Sequence, residues 1–530
     1  MSLRLHNTLT KRTEDVVTRE PGKVAMYVCG PTVYDSTHLG HIRAAIVFDI
    51  LRRHLEAKGF QVLHIQNITD VEDKIIARAQ ADGVSTETIT SRYIAEYRQA
   101  CRLVNILPPN VEPLASQHIP DMIQLIRRLV DLGYAYYAEG DVYFDVAKLP
   151  EYGKLSGQAM EELKAGARVE PGEFKRHPAD FALWKRAKPG EPSWDSPWGR
   201  GRPGWHIECS AMSLKYLGMG FDIHGGGDDL IFPHHENEIA QSEAYAGTAP
   251  FARYWIHNAM VTAAGEKMSK SLRNYFAVTE ALKRYPPDVI RYALGSVRYR
   301  KPIEAEQERL DDAARAIDRL RAALASADTV LRRAPSDARQ VPAGGRQGGD
   351  LSQALQQSAL RARAAFEAAM DDDLNTSGAL AAVFDLVAEM NRATDQALKG
   401  TVEASQVQPG VSKARETILA MTGIFGLSLA TPRQDEKVHH QVRAIAADLR
   451  KEASHLFSEE PGQSFDDLVA FILAGRERAR EGRDFPTADR IRRRLAEVGI
   501  LVEDLPTGPR WRVVTGDGRG EPSDLDPDGR

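Results

Sequence analysis

Val24–Cys29 (VAMYVC), His41–Lys58 and Val62–Ile68 are the stretches that decide how this chain folds. The first is a short apolar run and reads as a buried strand. The second places Ile42, Ala45, Ile46, Asp49, Ile50 and Arg53 at helical spacing, and Gly59 follows where a helix commonly stops. The third reads as another strand. Strand, helix and strand within about 45 residues make a βαβ unit, so the class is α/β with a Rossmann-type parallel sheet. His38-Leu39-Gly40-His41 lies where the first strand feeds the helix. In open α/β sheets that crevice holds nucleotides.

His38 and His41 bracket Gly40 at this turn. A glycine lets backbone approach a ligand closely. The helix start offers free amides and partial positive charge to phosphate. Imidazole N–H groups add donors as charge builds in a transition state. Far downstream, Lys267-Met-Ser-Lys-Ser271 supplies Lys267 and Lys270, flexible point charges suited to polyphosphate. Together they point to ATP handled by positioning and charge, without a catalytic base. Magnesium would arrive with the ATP, since no dedicated protein cage for it is evident.

Between and beyond these motifs the pattern changes. Ile119, Met122, Ile123, Ile126, Leu129 and Val130 form one helical stripe, and Tyr134–Tyr137 with Val142–Val146 flank a predicted hairpin turn at Glu139–Asp141. Lys188–Gly204 is rich in Gly, Pro and Trp. Residues 115–204 therefore read as an insertion that splits the nucleotide-binding fold into halves, 1–114 and 205–287. A helical region is expected over 288–335, a Gly-rich linker over Ser336–Asp350, and a helical bundle over 351–430. A small mixed domain follows at 437–514, and 515–530 reads as a disordered tail.

Asp222–Glu243 (DIHGGGDDLIFPHHENEIAQSE) contains a possible metal constellation. With Pro233 as first helical residue, His234 and Glu238 are i and i+4 on one face, while His235 and Glu236 point elsewhere. Cys29 and Cys209 complete a zinc-capable set, and Cys101 reads as a small hydrophobe. The same residues also fit two core cysteines and an ordinary helix pair, and spacing alone does not choose. Cys29 abuts Gly30-Pro31 and the phosphate loop, so a metal there would sit beside the reacting phosphate.

The net charge is −5 and the pI about 6.3, which excludes a uniformly basic nucleic-acid coat but not local basic patches. No long apolar run suggests a membrane span, and the first residues lack a signal-type apolar core. The expectation is a cytoplasmic protein with free thiols. Nothing demands a partner copy, so a monomer is expected. Arg476–Arg494 holds eight arginines against four acids, and Arg510-Trp511-Arg512 sets an aromatic between cations. Stacking with phosphate contact is how unpaired bases are held. An ordinary solvated helix with a packed Trp has the same composition.

CGPTVYDSTHLGH, GWHIECSAM, DIHGGGDDLIFPHHENEIAQSEA and KMSKS resemble the cysteinyl-tRNA synthetases, a class I aminoacyl-tRNA synthetase family. FEAAMDDDLNTSGALAAVFDL and the C-terminal region are similar too, so the likeness spans nearly the whole chain. Departures are small: Leu39 where isoleucine is commoner, and Asp228 at a variable position. The resemblance implies activation of L-cysteine with ATP and its transfer to the terminal adenosine of tRNA(Cys). It implies zinc on Cys29, Cys209, His234 and Glu238, and ATP at His38, Gly40, His41, Lys267 and Lys270. Cys29, Gly30, Thr69, Trp205 and His224 match positions around the amino acid. Region 288–335 would contact the tRNA stem, and 437–514 would bind the anticodon.

Zinc gives specificity a physical basis. An apolar pocket separates cysteine from serine by only about 10–200-fold. A thiol ionises readily and bonds a borderline-soft ion as thiolate, whereas an alcohol does not. Two other readings are a paralogue that joins cysteine to an amino-sugar, which lacks the long helical C-terminal region, and a catalytically idle RNA-binding paralogue.

Overall fold

A computed structural model of the chain describes residues 2–158, 174–263, 266–267, 277–333, 345–429, 436–457, 462, 465–505 and 508–513. At its centre, β1 (Lys23–Val28), α1 (Leu39–Ala57) and β2 (Gln61–Gln66) form the βαβ unit, with Lys23 paired to Gln61 in parallel register. After the insertion come α2 (Trp205–Leu217), β3 (Phe221–Gly227), α3 (Glu236–Ala246) and β4 (Ala252–Asn258). The strand order is β4-β3-β1-β2, all parallel. From β1 the chain crosses outward to β2, and from β3 it crosses outward the other way. The order therefore reverses between β1 and β3, and their carboxyl ends frame the crevice of an α/β sheet.

The first helix starts at Leu39, not His41 as its apolar spacing suggested. His38 caps it: Nδ1 accepts the Gly40 N–H at 3.1 Å. Gly40 thus sits inside the first turn. A Cβ there would lie 3.0 Å from the His38 ring, so the glycine makes room for the cap. Helix α1 is buried on most sides. Inside it, Asp49 pairs with Arg291, whose other nitrogens donate to the carbonyls of Val104, Asn105 and Phe425. Asp49, 2% exposed, also accepts from Arg53 Nε at 2.8 Å and from the Leu107 N–H at 2.9 Å, so its buried charge is shared among three donors.

Each face of the sheet has its own core. On one face, α1 and the helices Gln307–Arg332, Gly345–Asp371, Thr376–Leu398 and Ala404–Ile424 share a continuous apolar cluster. On the other, the insertion's helix Ile119–Asp131 and its antiparallel sheet pack on α2, α3 and Trp255. The expected hairpin is present as Ala135–Ala138 and Asp141–Phe144. Glu139 and Gly140 turn it with φ of 51° and 98°. The segment read as a linker up to Asp350 is partly helical: Gly345–Asp371 begins earlier. Gly348 packs so close to Gln406 that a Cβ would lie 2.0 Å from its Oε1, so burial against a neighbouring helix overrides the glycine-rich composition. The tail 515–530 lies outside the described residues.

A third cluster, from Val442 to Val502, is separate. It gathers Phe465–Glu481, Phe485–Glu497 and the hairpin Ile500–Leu505/Gly508–Val513. Among the described residues no helix is long and apolar enough to cross a membrane.

Candidate active site and metal centre

Cys29 follows β1 directly, and Gly30 turns the chain under β2. A Cβ at Gly30 would lie 1.6 Å from the Asn67 carbonyl oxygen, so no larger residue fits. Helix α2 brings Cys209, and the segment entering α3 brings His234, His235 and Glu238. These converge behind the crevice. Cys29 Sγ lies 3.6 Å from Cys209 Sγ and 3.5 Å from Glu238 Oε1, and His234 Nε2 lies 3.1 Å from that oxygen. One ligand atom from each of Cys29, Cys209, His234 and Glu238 falls within 4.8 Å of all the others. Tetrahedral zinc with ordinary bond lengths has ligand–ligand edges of roughly 3.3–3.8 Å. The donor set fits such an ion.

Around it the outward-facing atoms are held. His234 Nδ1 meets His206 Nδ1 at 3.0 Å, and Glu238 Oε2 meets His224 Nε2 at 2.9 Å. By themselves the groups divide charge in a telling way. Burial opposes ionisation of Glu238, yet His224 and His234 hold its carboxyl down at about 2. Burial likewise opposes a charged His234, but Glu238 and Cys209 raise it to about 10. Burial pushes the Cys29 thiol well up. Burial opposes ionisation of Cys209 too, yet the Cys29 S–H bond and His234 together lower it to about 6. Anionic donors in a dry site demand compensating positive charge, which a divalent ion supplies.

His235 was expected to point elsewhere, and it does not. Its Nε2 lies 3.2 Å from Cys29 Sγ and 3.8 Å from Glu238 Oε1. Ile231–His235 is a wider turn with extended Phe232 inside it, and α3 proper begins at Glu236. Residues i and i+3 share a helix face as i and i+4 do, so the His235–Glu238 spacing is the signal that reveals it. Glu236 does turn away, accepting the N–H groups of Gly153, Leu155 and Ser156 from the insertion. His206 lies inside GWHIECSAM but was given no role there, and His257 belongs to no quoted motif; both emerge from the geometry. Cys101 packs against the core, as expected.

In front of the cluster a cleft of about 540 Å³ is lined by Cys29, Gly30, His38, Gly40, His41 and Trp205, among others. Cys29 therefore belongs to both cluster and cleft. His38 and His41 stack with ring centroids 3.7 Å apart. Trp205 stacks on His234 at 4.3 Å. Thr69 is buried and donates to Glu208 Oε2 at 3.0 Å, and His224 is buried behind Glu238. Lys267 belongs to a short strand, Glu266–Lys267, paired with Val261–Ala263 beside the cleft. Its side chain and Lys270 lie outside the described residues. On the far side of that segment Ala277 bridges to His38, so both of its anchors flank the cleft.

A parallel sheet that reverses its order at a crevice is the doubly wound arrangement of nucleotide-binding proteins, and the match of its residues to a family model makes this one a class I aminoacyl-tRNA synthetase. Residues 15–315 match the family model for the class I (C) tRNA synthetase catalytic domain, 365–430 the DALR domain, and 464–512 the cysteinyl-tRNA ligase anticodon binding domain. A cysteine–tRNA ligase of Heliobacterium modesticaldum is 47% identical over 512 residues, 97% of this chain and 100% of the relative. One of Desulforudis audaxviator is 48% identical over 510 residues, 96% and 100% respectively. Methionyl-tRNA synthetase of Mycobacterium tuberculosis bound by methionyl-adenylate superposes with a TM-score of 0.56 at 16% identity, covering 78% of this chain and 95% of that one. That last likeness shows the fold. The chain belongs to the cysteine–tRNA ligase family, and its activity is ligation of cysteine to tRNA.

Proposed function

We propose that Cys29, Cys209, His234 and Glu238 hold one zinc ion, and that the adjoining cleft joins cysteine to ATP. The observation that carries this is the double placement of Cys29, in the donor set and in the cleft wall. When bound, zinc supplies a soft Lewis acid that accepts a thiolate in preference to a hydroxyl. Gly30, Thr69, Trp205 and His224 shape the amino-acid end. Trp205 does so by packing on His234, His224 by fixing one Glu238 oxygen, and Thr69 through its bond to Glu208.

His38 accepts the Gly40 amide at Nδ1, so its proton is on Nε2, the nitrogen that would donate to phosphate oxygens. His41, stacked beside it, adds a second donor, and Lys267 and Lys270 bring positive charge to the departing pyrophosphate. A cysteine carboxylate oxygen attacks the α-phosphorus, and the bond to the pyrophosphate oxygen breaks. A ribose hydroxyl of the terminal adenosine of tRNA(Cys) then attacks the acyl carbon, and AMP leaves. Mg2+ accompanies ATP.

The C-terminal unit, 437–514, meets the anticodon, and 288–335 meets the tRNA stem, with the catalytic halves 1–114 and 205–287 split by 115–204. This reading takes the form of a cytoplasmic, monomeric enzyme. The amino-sugar ligase and the idle RNA-binding paralogue are not favoured, because relatives align along the full length. The test is Cys209→Ser: metal content and cysteine-dependent ATP–pyrophosphate exchange should fall together. Full exchange by protein shown to be free of zinc would refute the assignment.

A further inference from the structure

Behind Cys29 runs a chain of hydrogen bonds that neither the ligand set nor the cleft explains. Thr8 Oγ1 lies 2.8 Å from His257 Nδ1, His257 Nε2 lies 2.7 Å from His235 Nδ1, and His235 Nε2 lies 3.2 Å from Cys29 Sγ. His235 and His257 are 0% and 5% exposed. Thr8 is far from the sheet in sequence but fixed in space. Its N–H donates to the Trp255 carbonyl at 2.9 Å, and the neighbouring Asn7 accepts the Trp255 N–H at 3.1 Å.

Resting on the metal reading above, we propose that Thr8 is a positioning residue that sets the tautomer of His235 through His257, so that His235 donates to the Cys29 thiolate. Two buried imidazoles in contact must be one donor and one acceptor, so the direction at one end fixes the whole chain. Among the described residues His257 Nδ1 is the one hydrogen-bond partner of the Thr8 hydroxyl. With the hydroxyl as the donor to Nδ1, His257 carries its proton on Nε2 and gives it to His235 Nδ1, and His235 carries its own on Nε2, facing sulfur.

The direction has a chemical consequence. If it were reversed, His235 would present a lone pair to Cys29 and Glu238. It would then join His224 in a second donor set, Cys29–His224–His235–Glu238, whose atoms also lie within 4.8 Å of one another. An ion could occupy either of two overlapping positions sharing Cys29 and Glu238. Donation from Nε2 closes the second position and places a hydrogen bond on the sulfur, which tempers its donor strength.

The test uses the full chain loaded with cobalt(II), together with nitrogen-15 histidine spectra of the zinc form. Wild-type protein should show His235 protonated on Nε2. Thr8→Val should move that proton to Nδ1, alter the thiolate-to-cobalt charge-transfer band and lower metal affinity by roughly 10-fold. Thr8→Ser, which keeps the hydroxyl, should restore all three. A wild-type His235 protonated on Nδ1 overturns the proposal even if no variant folds. So does a Thr8→Val spectrum identical to wild type, or an equal change in Thr8→Ser. Wild-type protein that takes up no cobalt overturns the metal reading itself, a distinguishable result.

Discussion

At the carboxyl ends of the sheet, Cys209, His224, His234 and Glu238 are exposed by 1% or less. On the C-terminal helices and the turn between them, Arg483, Arg490, Arg492 and Arg493 stand in solvent. The first region concentrates ionisable groups where water cannot screen them, so each fixes its neighbours' protonation and geometry. The second spreads like charges where water screens them well, an arrangement that suits an extended polyanion without exact placement. The eight arginines counted in the sequence are not equivalent, however. Arg476 is 2% exposed and doubly bonded to Asp504 at 2.7 and 2.8 Å, and Arg478 donates to the Leu456 carbonyl at 2.7 Å. Those two hold the unit together, Arg480 and Arg494 pair with Asp504 and Glu452, and the other four stand in solvent.

The largest expected effect comes from separating the regions. Because the Val442–Val502 core is independent of the other two, ending the chain near residue 435 should leave cysteine-dependent exchange intact and abolish efficient tRNA charging. Undiminished charging would show that the C-terminal unit does not read the tRNA. Next, Gly30→Ala should displace Cys29 from its partners, because the new methyl meets the Asn67 carbonyl. A shift of about 1 Å at a reacting centre costs on the order of 100-fold, read as kcat/KM for activation. An unchanged rate would mean the loop is not held as tightly as its geometry implies.

Arg476→Met should destabilise the C-terminal unit by about 2 kcal/mol, a buried-pair loss discounted because Asp504 is about one-third exposed. Differential scanning calorimetry would show it, with exchange unaffected. Arg476 holds the Asp504 carboxyl below its usual range. That stabilisation is complete above the ordinary carboxylate pKa and disappears as pH falls through the depressed folded value. The variant should therefore lose part of the wild-type unit's sensitivity to acid. The smallest effect is expected for Arg492→Ala with Arg493→Ala. Stability should move by less than about 0.5 kcal/mol, while tRNA affinity weakens and its salt slope falls by about one for each phosphate no longer neutralised. A salt slope equal to wild type would remove these arginines from the interface.

Much of the sheet and of the donor set is legible in the sequence because each signal is local. Apolar runs mark the strands of the βαβ unit, and His234 and Glu238 announce a shared face by spacing. His38 as a cap is not legible from apolar periodicity, since a cap is a polar residue outside the period. His235 escapes a reading that weighs only the i+4 spacing. His257 and Thr8 carry no motif, His206 was given no role in its own, and the relevance of all three arises from contacts across 22 to 249 residues of chain.

By itself the sequence determined the α/β class, the crevice at the strand-to-helix turn and the basic character of the C-terminal helices, and it offered the candidate donors, since all of these follow from residue kind and near-neighbour spacing. Tertiary structure alone decided which arginines are buried struts, which histidine nitrogens face sulfur, and that Cys29 belongs at once to the cluster and to the cleft wall. Those properties depend on distances between segments remote in sequence, and only packing two cores against one parallel sheet fixes such distances.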